Sequence, residues 1–175
     1  ATIASPLSIS QPGRIPEGKV CPHRVNSPDI VALTCRWANV TVPWDMHGRD
    51  IRPLLHDPST EDWNRPMLMT HTARSYGSDT DTIPTGEELT ITAKIPWYAM
   101  LRHGQYKYIR TLVEGETEEL YDLKRDPEEL ENLAGSGEHR DLLVRLRKQT
   151  IEELKKTDAK FADSMPATSV RETAR

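Results

Sequence analysis

Trp97-Tyr98-Ala99-Met100-Leu101-Arg102-His103-Gly104-Gln105-Tyr106-Lys107-Tyr108-Ile109-Arg110-Thr111-Leu112 decides the fold. Two runs rich in aromatic and branched residues flank a turn at Arg102 to Gln105, which is the pattern of a β-hairpin. A third strand is expected from Glu118 to Leu123, after an acidic turn. Asp126-Pro127-Glu128-Glu129 then combines a capping acid with an early proline and reads as the start of a short helix. From His139 to Phe161 the residues Leu143, Leu146, Ile151 and Leu154 fall near helical spacing, with Arg145, Arg147, Lys148, Lys155 and Lys156 outside the stripe. That amphipathic helix should pack on the sheet. Strand, strand, strand, helix is an α+β order.

Working upstream, Met67-Leu68-Met69-Thr70 reads as a short buried strand, which brings the small antiparallel sheet to about four strands. The polar run from His71 to Gly86 has no periodicity and favours turns, and loops of that length are commonly functional. His71, Arg74, Ser75 and Tyr76 place imidazole, guanidinium and hydroxyl groups together, a set suited to an anionic ligand, although an ordinary surface loop has the same composition. Nearer the start, a short strand runs into the breaker cluster Gln11 to Gly18, and Ser27-Pro28-Asp29 announces a helix over about 28–38, with Ser27 as its cap. Pro43, Gly48, Pro53 and Pro58 punctuate a connecting passage. Ser164 to Arg175 is small, polar and charged, which predicts a disordered tail. The expected organisation is therefore 1–60, 61–163 and a tail over 164–175.

Lys and Arg number 23 against 27 Asp and Glu, a net charge of −4 over 175 residues, which argues against a general nucleic-acid binder. With 36% hydrophobic residues and one Phe, the core must be lean. No run approaches the roughly 18 apolar residues of a membrane span, and Ala1 opens no signal-like segment. The chain begins without Met, so processing or truncation is expected to have removed what came first.

A search for chemistry finds no complete catalytic set. Cys21, His23 and Cys35 fall short of the four ligands of a structural zinc site. Asp79-Thr80-Asp81 is followed by Ile83 and Pro84 where a calcium loop needs other residues. The scattered histidines lie in no His-Glu-x-x-His motif, and there is no Gly-x-Ser-x-Gly or phosphate-cradling loop. Glu114, Glu116, Glu118 and Glu119 read as a hydrated turn and strand edge. Asn39-Val40-Thr41 matches a glycosylation acceptor, a short pattern that arises often by chance.

Three segments together resemble the C-terminal third of the sulfatase family, relatives of alkaline phosphatase. The similarity is strongest in Tyr98 to Ile109 followed by Glu119-Leu120-Tyr121-Asp122-Leu123-Lys124-Arg125-Asp126-Pro127-Glu128-Glu129-Leu130-Glu131-Asn132-Leu133-Ala134. There the family has a strand ending in Lys-Tyr, a strand reading Glu-Leu-Tyr-Asp-Leu, and then Asp-Pro-x-Glu and Asn-Leu. Gln11 to Gly18 is similar to the turn after the last strand of the family's large domain, with Gln11 where a tryptophan often stands. Ser27 to Ile30 and Gly48 to Leu55 are similar to segments leading into its C-terminal subdomain.

The resemblance implies a remnant of the large α/β domain, then a small subdomain of antiparallel strands and a long helix. It implies sulfate-ester hydrolysis by the whole enzyme, with a formylglycine made within a Cys/Ser-x-Pro-x-Arg motif and a calcium ion held by Asp and Asn side chains. Cys21 continues Pro-His-Arg and Cys35 continues Arg-Trp-Ala, so neither cysteine has that motif. No catalytic residue, metal ligand or cofactor is therefore expected in this chain. Its expected partners are the missing N-terminal domain and, for the whole enzyme, a sulfated small molecule or glycan. His71, Arg74 and Tyr76 are the candidate substrate-binding residues. The resemblance favours export. Two other readings are a stand-alone interaction or sulfated-glycan-binding module, and a phosphodiesterase or phosphonate hydrolase relative.

Overall fold

The computed structural model describes residues 5–60, 63, 65–72, 80–85 and 95–170. The chain divides into two compact units, Ile3–Met67 and Leu68–Arg175. The division falls beyond residue 60 because Trp63 is buried with Leu33, Ile51 and Leu54 of the first unit.

In the first unit, α1 (Ser27–Trp37) begins one residue earlier than the sequence suggests. Asn26, not Ser27, is the cap: its side chain accepts from Asp29 N–H while Asp29 accepts from Asn26 N–H, a reciprocal capping box. Asp29 is 1% exposed and is gripped by Arg49, whose Nε and Nη2 reach its carboxylate at 3.1 and 2.5 Å and whose backbone N–H donates at 2.7 Å. The neighbouring Gly48 lies against the Pro28 carbonyl so closely that any Cβ would overlap it. That close approach is why a glycine precedes the arginine. Ile51 and Leu54, at the cap and within the short α2 (Arg52–His56), complete the core of this unit. Gln11 to Ile15 forms the expected turn, with Arg14 and Ile15 N–H both donating to the Gln11 carbonyl and Gly13 at φ 74°. The strand expected before it is absent among residues 5–10, since no described strand of this unit offers it hydrogen bonds.

The second unit is built on a four-stranded sheet in the order β1 (Met67–His71), β2 (Tyr98–His103), β3 (Tyr106–Thr111), β4 (Glu119–Asp122). β2 and β3 pair antiparallel from Tyr98 opposite Thr111 to His103 opposite Tyr106, which leaves a two-residue turn. Gly104 takes φ 57° there, as the first position of such a turn requires. α3 (Arg140–Lys156) covers one face. Its buried residues are Leu143, Leu146, Thr150 and Leu154, so Thr150 replaces the expected Ile151 in the stripe. The steps of three, four and four keep one face, and the Thr150 hydroxyl is satisfied by the Leu146 carbonyl at 2.8 Å. Trp97, Ala99, Leu112, Leu154, Phe161 and Ala162 form one core cluster. Leu101, Tyr108, Leu120, Ala134, Leu143 and Leu146 form the other. Fully burying one such leucine stabilises by roughly 2–3 kcal/mol.

Two further expectations give way. Asp126 to Glu129 is a turn rather than a helix, because Glu129 adopts φ 61° and its carboxylate meets Lys107 Nζ at 2.6 Å. Residues 164–170 are not a loose tail: Ser169 forms a parallel bridge with Thr117, and Arg110 holds the Pro166 carbonyl at 2.6 Å. The rest of the tail, 171–175, lies outside the described residues.

Candidate functional site

His71 ends β1, and its ring stacks on Tyr98 of β2 with centroids 5.2 Å apart and planes inclined by 24°. The stack fixes the imidazole plane. Its Nε2 is buried without a hydrogen-bond partner among the described residues. Burial also raises the Tyr98 phenol above its usual pKa, so this end of the sheet presents a neutral phenol beside an imidazole. Arg74, Ser75 and Tyr76, the other members of the candidate set, lie outside the described residues.

The polar residues of the motif segments face inward and hold the subdomain together. Glu118, 1% exposed, forms an ion pair with Arg147 of α3 and accepts from the Tyr108 hydroxyl at 2.6 Å. Burial first, and then the Glu118 carboxylate, push the Tyr108 phenol well above the ordinary range, so it remains a donor at any working pH. Lys107 and Glu129 pair with side chains only 8% and 4% exposed. Asp122 accepts from Gln105 Nε2 at 2.8 Å and from Lys124 N–H at 3.0 Å, closing the hairpin against the following turn. Asp126 accepts from Glu131 N–H at 2.9 Å, and backbone donors hold its carboxyl below the usual range. Asn132 works as a false strand on the outer edge of β4. Its Oδ1 accepts from Leu120 N–H and Ala134 N–H, and its Nδ2 donates to the Glu118 carbonyl, each at 3.0 Å. Sequence reading took Glu118 for part of a hydrated acidic edge. The one available signal against that was a basic helix face, with Arg147 on it, expected to lie over the sheet.

The remaining candidates do not assemble. Cys21 and Cys35 are free, the first exposed and the second half-buried. Asp81 pairs with Lys160 at 2.5 Å, and Asp79 lies outside the described residues. No three His, Cys, Asp or Glu side chains among the described residues stand together as a metal site. No described helix is long and apolar enough to cross a membrane. In the first unit, a shallow cleft is lined by Arg14, Ile15, Trp37, Arg52, Leu55 and His56, but Arg52 is already paired with Asp50 at 2.5 Å.

Residues 89–157 match the family model described as N-sulphoglucosamine sulphohydrolase, C-terminal. An arylsulfatase of Clostridium perfringens is 25% identical over 161 residues, covering 90% of this chain and 29% of the relative. A Delta 4,5-hexuronate-2-O-sulfatase of Bacteroides thetaiotaomicron is 28% identical over 144 residues, covering 81% and 26%. The chain thus spans little more than a quarter of the length of these curated relatives. Among solved structures, a 2-O GAG sulfatase superposes with a TM-score of 0.56 at 21% identity, covering 83% of this chain and 27% of that one. The phosphonate monoester hydrolase of Agrobacterium radiobacter gives 0.54 at 20%, covering 73% and 24%. These last two similarities establish the shared fold. The motif wording, the model match and the four-stranded sheet under α3 agree in their likeness to the C-terminal portion of sulfatases.

Proposed function

We propose that this chain serves as the small C-terminal subdomain of a sulfuric ester hydrolase, with no complete catalytic site of its own, and that the loop opening at His71 forms one wall of the substrate cleft. The observation that carries the reading is the match of residues 89–157 to the C-terminal model, which covers the hairpin, β4 and α3 together. The chemistry is assigned to the large N-terminal domain, where the family resemblance expects a formylglycine and calcium to supply the nucleophile and the balancing cation. None of the residues here is given either task. Leu7, Val20, Val31, Trp37, Val40 and Trp44, all exposed in the first unit, suit a surface that meets that domain rather than water.

On this reading, His71, its ring held by Tyr98, joins Arg74 and Tyr76 in binding a sulfated small molecule or glycan, the latter two adding a planar cation and a hydroxyl. The purified chain with an aryl sulfate and calcium should give no turnover; turnover abolished by removing the metal would overturn the assignment of chemistry elsewhere. In the enzyme bearing this subdomain, His71→Ala and Arg74→Ala should raise KM more than they lower kcat. An unchanged KM removes the loop from the cleft. Assay of a sulfate ester beside a phosphonate monoester decides which ester the fold serves.

A further inference from the structure

The cleft of the first unit gathers polar groups that the fold itself does not use. Its volume is about 150 Å3, roughly ten times what one water molecule needs, which is room for a single sugar-sized ring. Three elements meet around it. The turn at Gln11 to Ile15 brings Arg14 and Ile15, and it is pinned at its own base because both of their N–H groups donate to the Gln11 carbonyl. The last turn of α1 brings Trp37, 45% exposed, and the end of α2 brings Leu55 and His56. Ile15, Leu55 and the flat indole supply apolar surface. The polar complement is biased toward donors: Arg14 and the indole N–H can only donate, and no carboxylate is among the lining residues. Among the described residues no hydrogen bond or ion pair engages the side chain of Arg14, Gln11 or His56. Asp57, next to His56, turns instead to the Ser59 N–H and hydroxyl at 3.2 and 2.8 Å. Arg52 does have a partner in Asp50, and that pair shapes the field at the rim: Arg52 first, and Arg36 through space, hold the Asp50 carboxyl down at about 2. Two guanidiniums beside one carboxylate leave the rim positive, and Arg14 adds to it.

We infer that this cleft binds a sugar acid, a pyranose whose carboxylate meets the Arg14 guanidinium and whose C–H face lies on Trp37, with Gln11 and His56 taking hydroxyls. A carboxylate suits the site better than a tetrahedral anion because the guanidinium fork matches two coplanar oxygens. The indole gives the ring a flat apolar partner with a polar edge. Trp37 is also one of the exposed residues assigned above to the surface that meets the large domain, which sets the cleft at the margin of that surface, where ligand pockets commonly form. That position rests on the proposed function. The binding itself does not, since every lining residue belongs to this chain and none belongs to the loop opening at His71.

Titration of the full chain with methyl glucuronide, followed by nitrogen-15 NMR, tests the site directly. Saturable shifts are expected at Arg14, the Trp37 indole N–H and His56. Methyl glucoside, the same ring without the charge, should bind at least about tenfold more weakly, the worth of a hydrogen bond to a charged group. Arg14→Met should weaken the glucuronide by a similar factor, while Lys19→Met, exposed and outside the lining, should leave it unchanged. Trp37→Ala should weaken both sugars alike, because the stack is common to them. Ester turnover is read in a separate assay, so failure of the proposed function and failure of this site are told apart. A glucoside that binds as well as the glucuronide, inorganic sulfate that displaces it with equal affinity, an Arg14→Met chain that binds normally, or shifts that never saturate would each overturn the proposal.

Discussion

Asn132→Ala should be among the most damaging single changes outside the apolar core. The side chain makes three hydrogen bonds, and the decisive one is to the backbone N–H of Leu120, a residue with no exposed surface. Alanine leaves that donor buried and unpaired, which costs about 1–3 kcal/mol. It also removes the cap on the short 3₁₀ turn at Leu133–Gly135, about 1 kcal/mol more. With the lost bond to the Glu118 carbonyl, the total is about 3–5 kcal/mol, a large share of the stability of a domain of this size. Asn132→Asp separates the contributions: it keeps both acceptor bonds but sets a carboxylate oxygen against the Glu118 carbonyl, for a loss of about 1–2 kcal/mol. Urea unfolding of the sheet, followed by exchange at the Leu120 amide, reads both. The reasoning is refuted if Asn132→Ala falls within 1 kcal/mol of the parent (roughly the worth of one exposed bond), or if the aspartate variant is as damaged as the alanine.

Two other outcomes follow from the charged groups. Glu118→Gln should cost about 2–3 kcal/mol, below the roughly 3–5 kcal/mol of a fully buried broken pair because Arg147 keeps 27% of its side chain in water; adding Arg147→Met should cost less than the sum of the single changes, and strict additivity in a thermal double-mutant cycle would show that the two do not interact. The Arg52 side chain, the largest influence, holds the Asp50 carboxyl down at about 2, while backbone donors depress Asp126. Carboxyls lowered in the folded state lend stability above the ordinary aspartate range near 3.8, and that share is lost as pH falls through the folded value. Carbon-13 titration should therefore find Asp50 half-protonated near pH 2, with the first unit losing stability between about pH 4 and 2. An Asp50 midpoint near 3.8 would contradict the ion pair.

The hairpin, β4 and α3 were legible because each is written in local chemistry: alternation, a glycine where φ must be positive, and apolar residues one helical face apart. The same local rules misplaced the cap of α1, since Asn26 and Ser27 are both good caps and only the contact with Arg49 fixes where Asp29 must stand. They made a helix of Asp126 to Glu129, because the pull of Lys107 on Glu129 arrives from a strand some twenty residues away. The candidate site was legible only as composition; of its residues the structure describes His71 alone, and it stacks that ring on Tyr98, which the sequence marked only as part of the hairpin.

By itself, the sequence carried the resemblance and the order of elements, because motif wording and periodicity are properties of neighbouring residues. Only the tertiary structure decided what the motif residues are for. Glu118, Lys107 and Asn132 look like surface polar groups until the strands and α3 close over them. The cost of burying a charge or an amide then makes their partners, Arg147, Glu129 and the β4 backbone, obligatory.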